Sequence, residues 1–214
     1  MPTELQSEDS VLFIGDSITD CHHREDPQGL GDGFVKLFAD ILLAREPEKH
    51  IQIINRGISG DTVADLLNRW DRDVLNHKPD WLIMMIGIND VIAFLRGQEH
   101  GISPHYFAAY YRDCLKKLTI KRPDCKIILV EPFFICQSDF ADRFQSEVLK
   151  TLPEYHRTVK EMSTIFDTQI IRQHAIFMRI LQHQLADKYC PEPVHPNSTG
   201  HMVIAQSLYN ALFR

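Results

Sequence analysis

Short, nearly unbroken apolar runs alternate along this chain with longer stretches in which apolar residues recur every three or four positions. The runs Val11–Gly15, Ile51–Asn55, Trp81–Ile86 and Lys126–Glu131 predict strands, with Ser163–Asp167 as a fifth. Runs this continuous suit strands covered by helices on both faces. Between them, Phe34, Leu37, Phe38, Ile41 and Leu42 fall at helical spacing, as do Val63, Leu66, Leu67, Trp70 and Val74 behind the capping pair Asp61-Thr62. Segments 105–119, 141–162, 170–186 and 199–213 predict further helices, punctuated by Pro123, Pro132, Pro191, Pro193 and Pro196. Strands alternating with helices imply a three-layer α/β/α sandwich around a parallel sheet. No repeat, low-complexity tract or linker interrupts the pattern, so residues 1–214 are expected to form a single domain.

In an open parallel sheet, ligands collect beyond the carboxyl ends of the strands. Three polar, glycine-bearing loops fall there: Gly15-Asp16-Ser17 after the first strand, Asn55–Gly60 after the second and Gly87–Asp90 after the third. Ser17 would stand at the mouth of the crevice, where its hydroxyl becomes a nucleophile only if a base takes its proton. A candidate base lies near the far end of the chain, in Glu192-Pro193-Val194-His195-Pro196. A carboxylate three residues before a histidine can bond the ring Nδ1–H, fix the tautomer and stabilise the imidazolium formed during attack. The N–H groups of Ser17 and Gly60 and the Asn89 amide are candidate donors to an oxyanion. Taken singly, each residue has a blander reading. Gly-Asp-Ser is also a turn with a helix cap, Asn89 an Asx-turn residue and Gly60 a left-handed turn glycine, while His195 is one of 11 histidines.

The ordered set is more specific than its parts. Phe13–Asp20 resembles the first block of the SGNH (GDSL) hydrolases, and Gly57–Thr62 and Gly87–Asp90 are similar to the second and third. Val194-His195-Pro196 matches the fifth, so the resemblance spans 13–196. Within the family, Gly15–Asp20, Asn55–Thr62, Arg69-Trp70, Lys78–Trp81 and Met85–Val91 are similar to intracellular acetyl-xylooligosaccharide esterases. That resemblance implies a flavodoxin-like fold with a five-stranded parallel sheet, and removal of acetyl groups from short xylans through an acetyl-Ser17 intermediate. It also implies His195 as base, Ser17, Gly60 and Asn89 as the oxyanion hole, no metal or other cofactor, and a homo-oligomer.

One position departs from the pattern: the family carries Asp three residues before the histidine, and this chain has Glu192. The extra methylene moves the carboxylate by about 1.5 Å unless the loop compensates. Glu192 is taken as the acid, with Asp187 the nearest substitute. The tryptophan that the relatives carry just before the acid is Pro191 here, preceded by Cys190. Asp16, His22 and Asn55 are candidate substrate contacts, Asp16 alternatively tying loop backbone.

Composition narrows the partners. The chain is 44% hydrophobic and 24% charged with net charge −6, which disfavours nucleic acid as a partner. No run approaches a membrane span and no secretion signal precedes the first strand. Five widely spaced cysteines without a C-x-x-C fit reduced thiols, so a cytoplasmic protein acting on a small acylated molecule is expected. His22-His23 beside Arg24-Glu25-Asp26 reads as a solvated loop rather than a metal site. Cys21 has no neighbour that would lower its pKa, so it is a poorer nucleophile candidate than Ser17. Phe133-Phe134-Ile135 and Phe140 to Phe144 suit core, pocket wall or an oligomer interface. Two other functions remain open at this level: a lipase, lysophospholipase or thioesterase using the same residues, and a non-catalytic sugar-binding protein on an esterase fold.

Overall fold

Residues 5–213 are described by the computed structural model. Five strands pair in parallel: β1 (Ser10–Gly15), β2 (Gln52–Gly57), β3 (Trp81–Met85), β4 (Lys126–Val130) and β5 (Gln169–Ile171). Their spatial order is β2-β1-β3-β4-β5, the arrangement of flavodoxin-like sheets. The chain leaves β1 for β2 on one side and returns to the other side of β1 for β3, so the switch point lies between β1 and β3. Those two strands carry the most continuous apolar runs because they are interior, and Val11–Ile14 and Trp81–Met85 are buried throughout. The edge strands β2 and β5 are only partly buried.

The helices are α1 (Ser17–Asp20), α2 (Phe34–Arg45), α3 (Val63–Asp73), α4 (Ile88–Leu95), α5 (Pro104–Lys121), α6 (Arg143–Ile165), α7 (Gln173–Ile180) and α8 (Ser198–Leu212). They sort into two packed groups flanking the sheet: α2 against α8, and α3, α5, α6 and α4 against one another. The buried apolar side chains form one continuous cluster. In it Phe13 of β1 meets Phe34 and Phe38 of α2 edge-on, at ring centroid distances of 5.8 and 5.5 Å. Among the described residues no helix is long and apolar enough to cross a membrane.

Two expectations need correction. Ser163–Ile165 is the last turn of α6, not a strand, because the buried face of Val148, Leu152, Tyr155, Val159 and Met162 keeps its helical period to that point. Asp167, at φ 49, then turns the chain, and the fifth strand is the three-residue β5. The helix expected over 170–186 is accordingly shortened to α7, with a separate 3-10 turn at Ala186–Lys188. Phe133, Phe134 and Ile135 are core, whereas Phe140 is exposed and Phe144 takes the Arg96 guanidinium over its ring at 5.0 Å.

Candidate active site

The turn from β1 into α1 is set by Asp16, whose carboxylate caps the helix by accepting the Ile18 N–H at 3.0 Å. That cap makes Ser17 the first helical residue and turns Asp16 inward, 1% exposed. Burial pushes the Asp16 carboxyl up to about 7, against the pull of the Ile18 N–H and of His195. Asp16 is therefore buried scaffold, not the substrate contact the sequence suggested. The same correction holds for Asn55. It is 2% exposed, and its amide donates to the carbonyls of Thr19 at 2.7 Å and Leu30 at 2.9 Å while its oxygen accepts the Gly57 N–H. With every polar atom so engaged, Asn55 ties three loops together from behind.

Opposite Ser17 stands the loop before α8. His195 Nε2 lies 2.9 Å from Ser17 Oγ, and His195 Nδ1 is hydrogen-bonded to Glu192 Oε1. The longer side chain of Glu192 folds back over its own loop, accepting the N–H of His195 at 2.8 Å and of Val194 at 2.9 Å. Three N–H donors thus fix one carboxylate, and this fold-back absorbs the methylene that distinguishes Glu from Asp. The loop is anchored from outside by the Ile135 N–H, which donates to the Pro193 carbonyl at 2.7 Å. Asp187, the other candidate acid, makes no bond to His195 and sits in the 3-10 turn. A serine hydroxyl within reach of an imidazole whose other nitrogen holds a carboxylate is the arrangement needed to remove the serine proton.

The second and third loops are fastened to each other and to the first. Asn89 donates one amide hydrogen to the Asp61 carbonyl at 3.0 Å, which leaves its second N–H for the cleft. Its neighbour Asp90 accepts the Val63 N–H at 3.1 Å, and burial pushes the Asp90 carboxyl up to about 8. Asp20 accepts the N–H and hydroxyl of Ser59 at 3.0 and 2.8 Å, and His23 Nδ1 lies 2.7 Å from its other oxygen. Gly60 follows at φ 87, a left-handed conformation that favours glycine. Among the described residues no hydrogen bond occupies the N–H of Ser17 or Gly60. Beneath these loops Arg69, 8% exposed, reaches Asp61 at 2.6 Å, Asp73 at 3.1 Å and the carbonyls of Arg56 and Gly15 at 2.8 and 3.1 Å.

A cleft of about 770 Å³ brings Ser17, Gly60, Asn89 and His195 together, with His22 on its wall. Three further residues line it that the sequence did not single out: Asp32, Ser198 and His201. Asp32 had a usable signal, its place between Gly31 and Gly33. His201 had none, since it is one more histidine on the packed face of α8. His201 stacks near Phe34, and burial pushes its imidazole down to about 4. Cys21 also lines the cleft, but burial, with Asp32, Asp20 and Asp16 nearby, pushes its thiol up to about 12, so it stays protonated and unreactive. His22 and His23 share no site: they pair separately with Asp32 and Asp20.

Comparison with known proteins agrees with this arrangement. An acetylxylan esterase from Geobacillus stearothermophilus is 35% identical over 217 residues, covering 95% of this chain and 94% of its own. The crystal structure of an acetylxylan esterase from that organism matches with a TM-score of 0.89 at 32% identity, covering 99% of this chain and 97% of its own. Solved variants of that esterase described as catalytic mutants replace a serine, an aspartate and a histidine with alanine. The family model for GDSL-like lipases and acylhydrolases matches residues 13–203, and it is to this family that the chain belongs.

Proposed function

We propose that the chain is a serine esterase that removes O-acetyl groups from short xylooligosaccharides through an acetyl-Ser17 intermediate. His195 Nε2 takes the Ser17 proton as Oγ attacks the acetyl carbonyl carbon. The carbonyl oxygen gains the negative charge and is held by the N–H groups of Ser17 and Gly60 and by the free amide hydrogen of Asn89. Loss of one such donor typically costs about 3–4 kcal/mol of transition-state stabilisation. Collapse of the tetrahedral intermediate expels the sugar oxygen, which takes the proton from His195. Water, giving its proton to His195, then attacks the acetyl-serine, and acetate leaves as Ser17 recovers its proton. Throughout, Glu192 keeps the imidazole oriented and balances its charge when protonated.

The observation that carries this reading is the Ser17–His195–Glu192 chain of hydrogen bonds at the edge of a cleft that also holds Gly60 and Asn89. The acetyl-xylan specificity is supported by the relative, which the chain matches over nearly its full length. All five cysteines are free thiols, which fits a reducing, cytoplasmic setting for one catalytic domain. The homo-oligomer that the family resemblance implies is read directly by light scattering. The test of function is acetate release from acetylated xylooligosaccharides, run beside 4-nitrophenyl acetate and octanoate. Acetate release with little octanoate cleavage is expected. Good octanoate cleavage without action on the xylooligosaccharides would move the substrate to longer acyl esters.

A further inference from the structure

The cleft wall beside Ser17 is built in a way that proton transfer and oxyanion binding do not require. Cys21 and His22 are consecutive non-glycine residues in the left-handed region, at φ 39 and 58. That conformation is costly for side-chain-bearing residues and persists only where neighbours enforce it. Here the enforcing neighbour is the turn Gly31-Asp32-Gly33. The Asp32 N–H donates to the Cys21 carbonyl at 2.9 Å. A Cβ on Gly31 would lie 2.2 Å from that carbonyl oxygen, and one on Gly33 would lie 2.3 Å from Cys21 Sγ, so the two segments can press together only with glycines there.

The consequence is a rigid frame that presents two polar side chains to the same cleft. His22 Nδ1 and Asp32 Oδ1 stand 3.5 Å apart, their side chains 72% and 77% exposed. Among the described residues neither side chain has any other bond. Both line the cleft that contains Ser17 and His195. An exposed carboxylate and imidazole this close, held by strained backbone and otherwise uncommitted, match the hydrogen-bonding pattern of neighbouring sugar hydroxyls. The carboxylate accepts two O–H donors, and the imidazole donates or accepts according to tautomer. With the backbone beneath both residues already fixed, binding such a ligand has only their side-chain torsions left to order.

We propose that Asp32, with His22, forms the subsite that binds the free hydroxyls of the xylooligosaccharide flanking the ester that is cleaved, on the acetylated sugar and its neighbour, and so selects the alcohol part of the substrate. This rests on the esterase reading above and adds a determinant to it. The test compares kcat/KM on an acetylated xylooligosaccharide with kcat/KM on 4-nitrophenyl acetate, whose alcohol part has no hydroxyl pair. In Asp32→Ala the ratio of the first to the second is expected to fall at least tenfold, mainly through a higher KM for the sugar. His22→Asn, which tolerates the left-handed backbone, should lower the same ratio in the same direction. A smaller fall in Asp32→Ala overturns the subsite while leaving the esterase reading intact. No turnover of the acetylated sugar by the unaltered chain overturns the substrate reading and this subsite together.

Discussion

Ser17 and His195 meet across 2.9 Å, yet the two sides of that contact are built by different means. The serine side is assembled from the sheet outward. Ser17 follows an interior strand, Asp16 caps its helix from a buried position, and Asn55, Arg69 and Asp90 tie the loops after β1, β2 and β3 into one layer. The histidine side is assembled from itself. Glu192 bonds two backbone N–H groups and the ring of its own loop, and both Glu192 and His195 are about half exposed, at 48% and 57% of their side chains. The serine side derives its precision from long-range packing. On the histidine side, a short local turn with one outside anchor at Ile135 supplies it. Changes to the buried groups that support Ser17 should therefore trade stability with function, and changes on the second side should touch function alone.

The largest expected effect is Ser17→Ala, which removes the reacting oxygen and nothing that packs. Turnover of 4-nitrophenyl acetate should fall about 10³-fold or more with an unchanged melting temperature. Glu192→Gln comes next. It keeps one of the two oxygens that hold the loop and loses the charge that balances the imidazolium, so kcat should fall about 10²–10⁴-fold, with a cost in stability limited to one exposed loop hydrogen bond. A melting temperature lowered as much as by an Arg69 variant would erase the distinction between the two sides.

Arg69→Met tests the serine side. It leaves Asp61 and Asp73 without their buried partner, a loss of about 3–5 kcal/mol that calorimetry would read as a clear drop in melting temperature. The smallest effect is Asp90→Asn. Burial holds the Asp90 carboxyl protonated up to about 8 in the folded chain, and Asp16 up to about 7. The folded chain then binds more protons than the unfolded one above the ordinary carboxylate range, so stability falls as pH rises through that window. The wild-type melting temperature should drop more between about pH 5 and about pH 9 than that of Asp90→Asn.

The same contrast governs what could be read from the residues alone. The three interior strands β1, β3 and β4 are legible because burial on both faces writes itself as continuous apolar runs, and the edge strand β2 from its short apolar stretch Ile51–Ile54. β5 is not, since three half-buried edge residues carry almost no pattern and α6 runs on where a strand is expected. Ser17, Gly60, Asn89, Glu192 and His195 stood out because each falls in a short polar segment at a strand end or between prolines, and the fold brings these segments to one cleft. Asp16 and Asn55, both candidate substrate contacts by sequence, are buried instead, Asp16 in its alternative role of tying loop backbone. A polar residue in a loop gives no sign of whether it faces solvent or binds carbonyls beneath. His201 goes unseen for the complementary reason: its place in the cleft depends on how α2 and α8 pack, which no local spacing reports, whereas the only local sign of Asp32 is its place between Gly31 and Gly33.

The central claim is that Ser17 is the nucleophile of an esterase, and covalent capture tests it most directly. Treatment with a fluorophosphonate followed by peptide mass spectrometry should place a single adduct on Ser17, with ester hydrolysis lost in proportion to labelling. Full activity without an adduct on Ser17, or inactivation that tracks modification of another residue, would contradict the account.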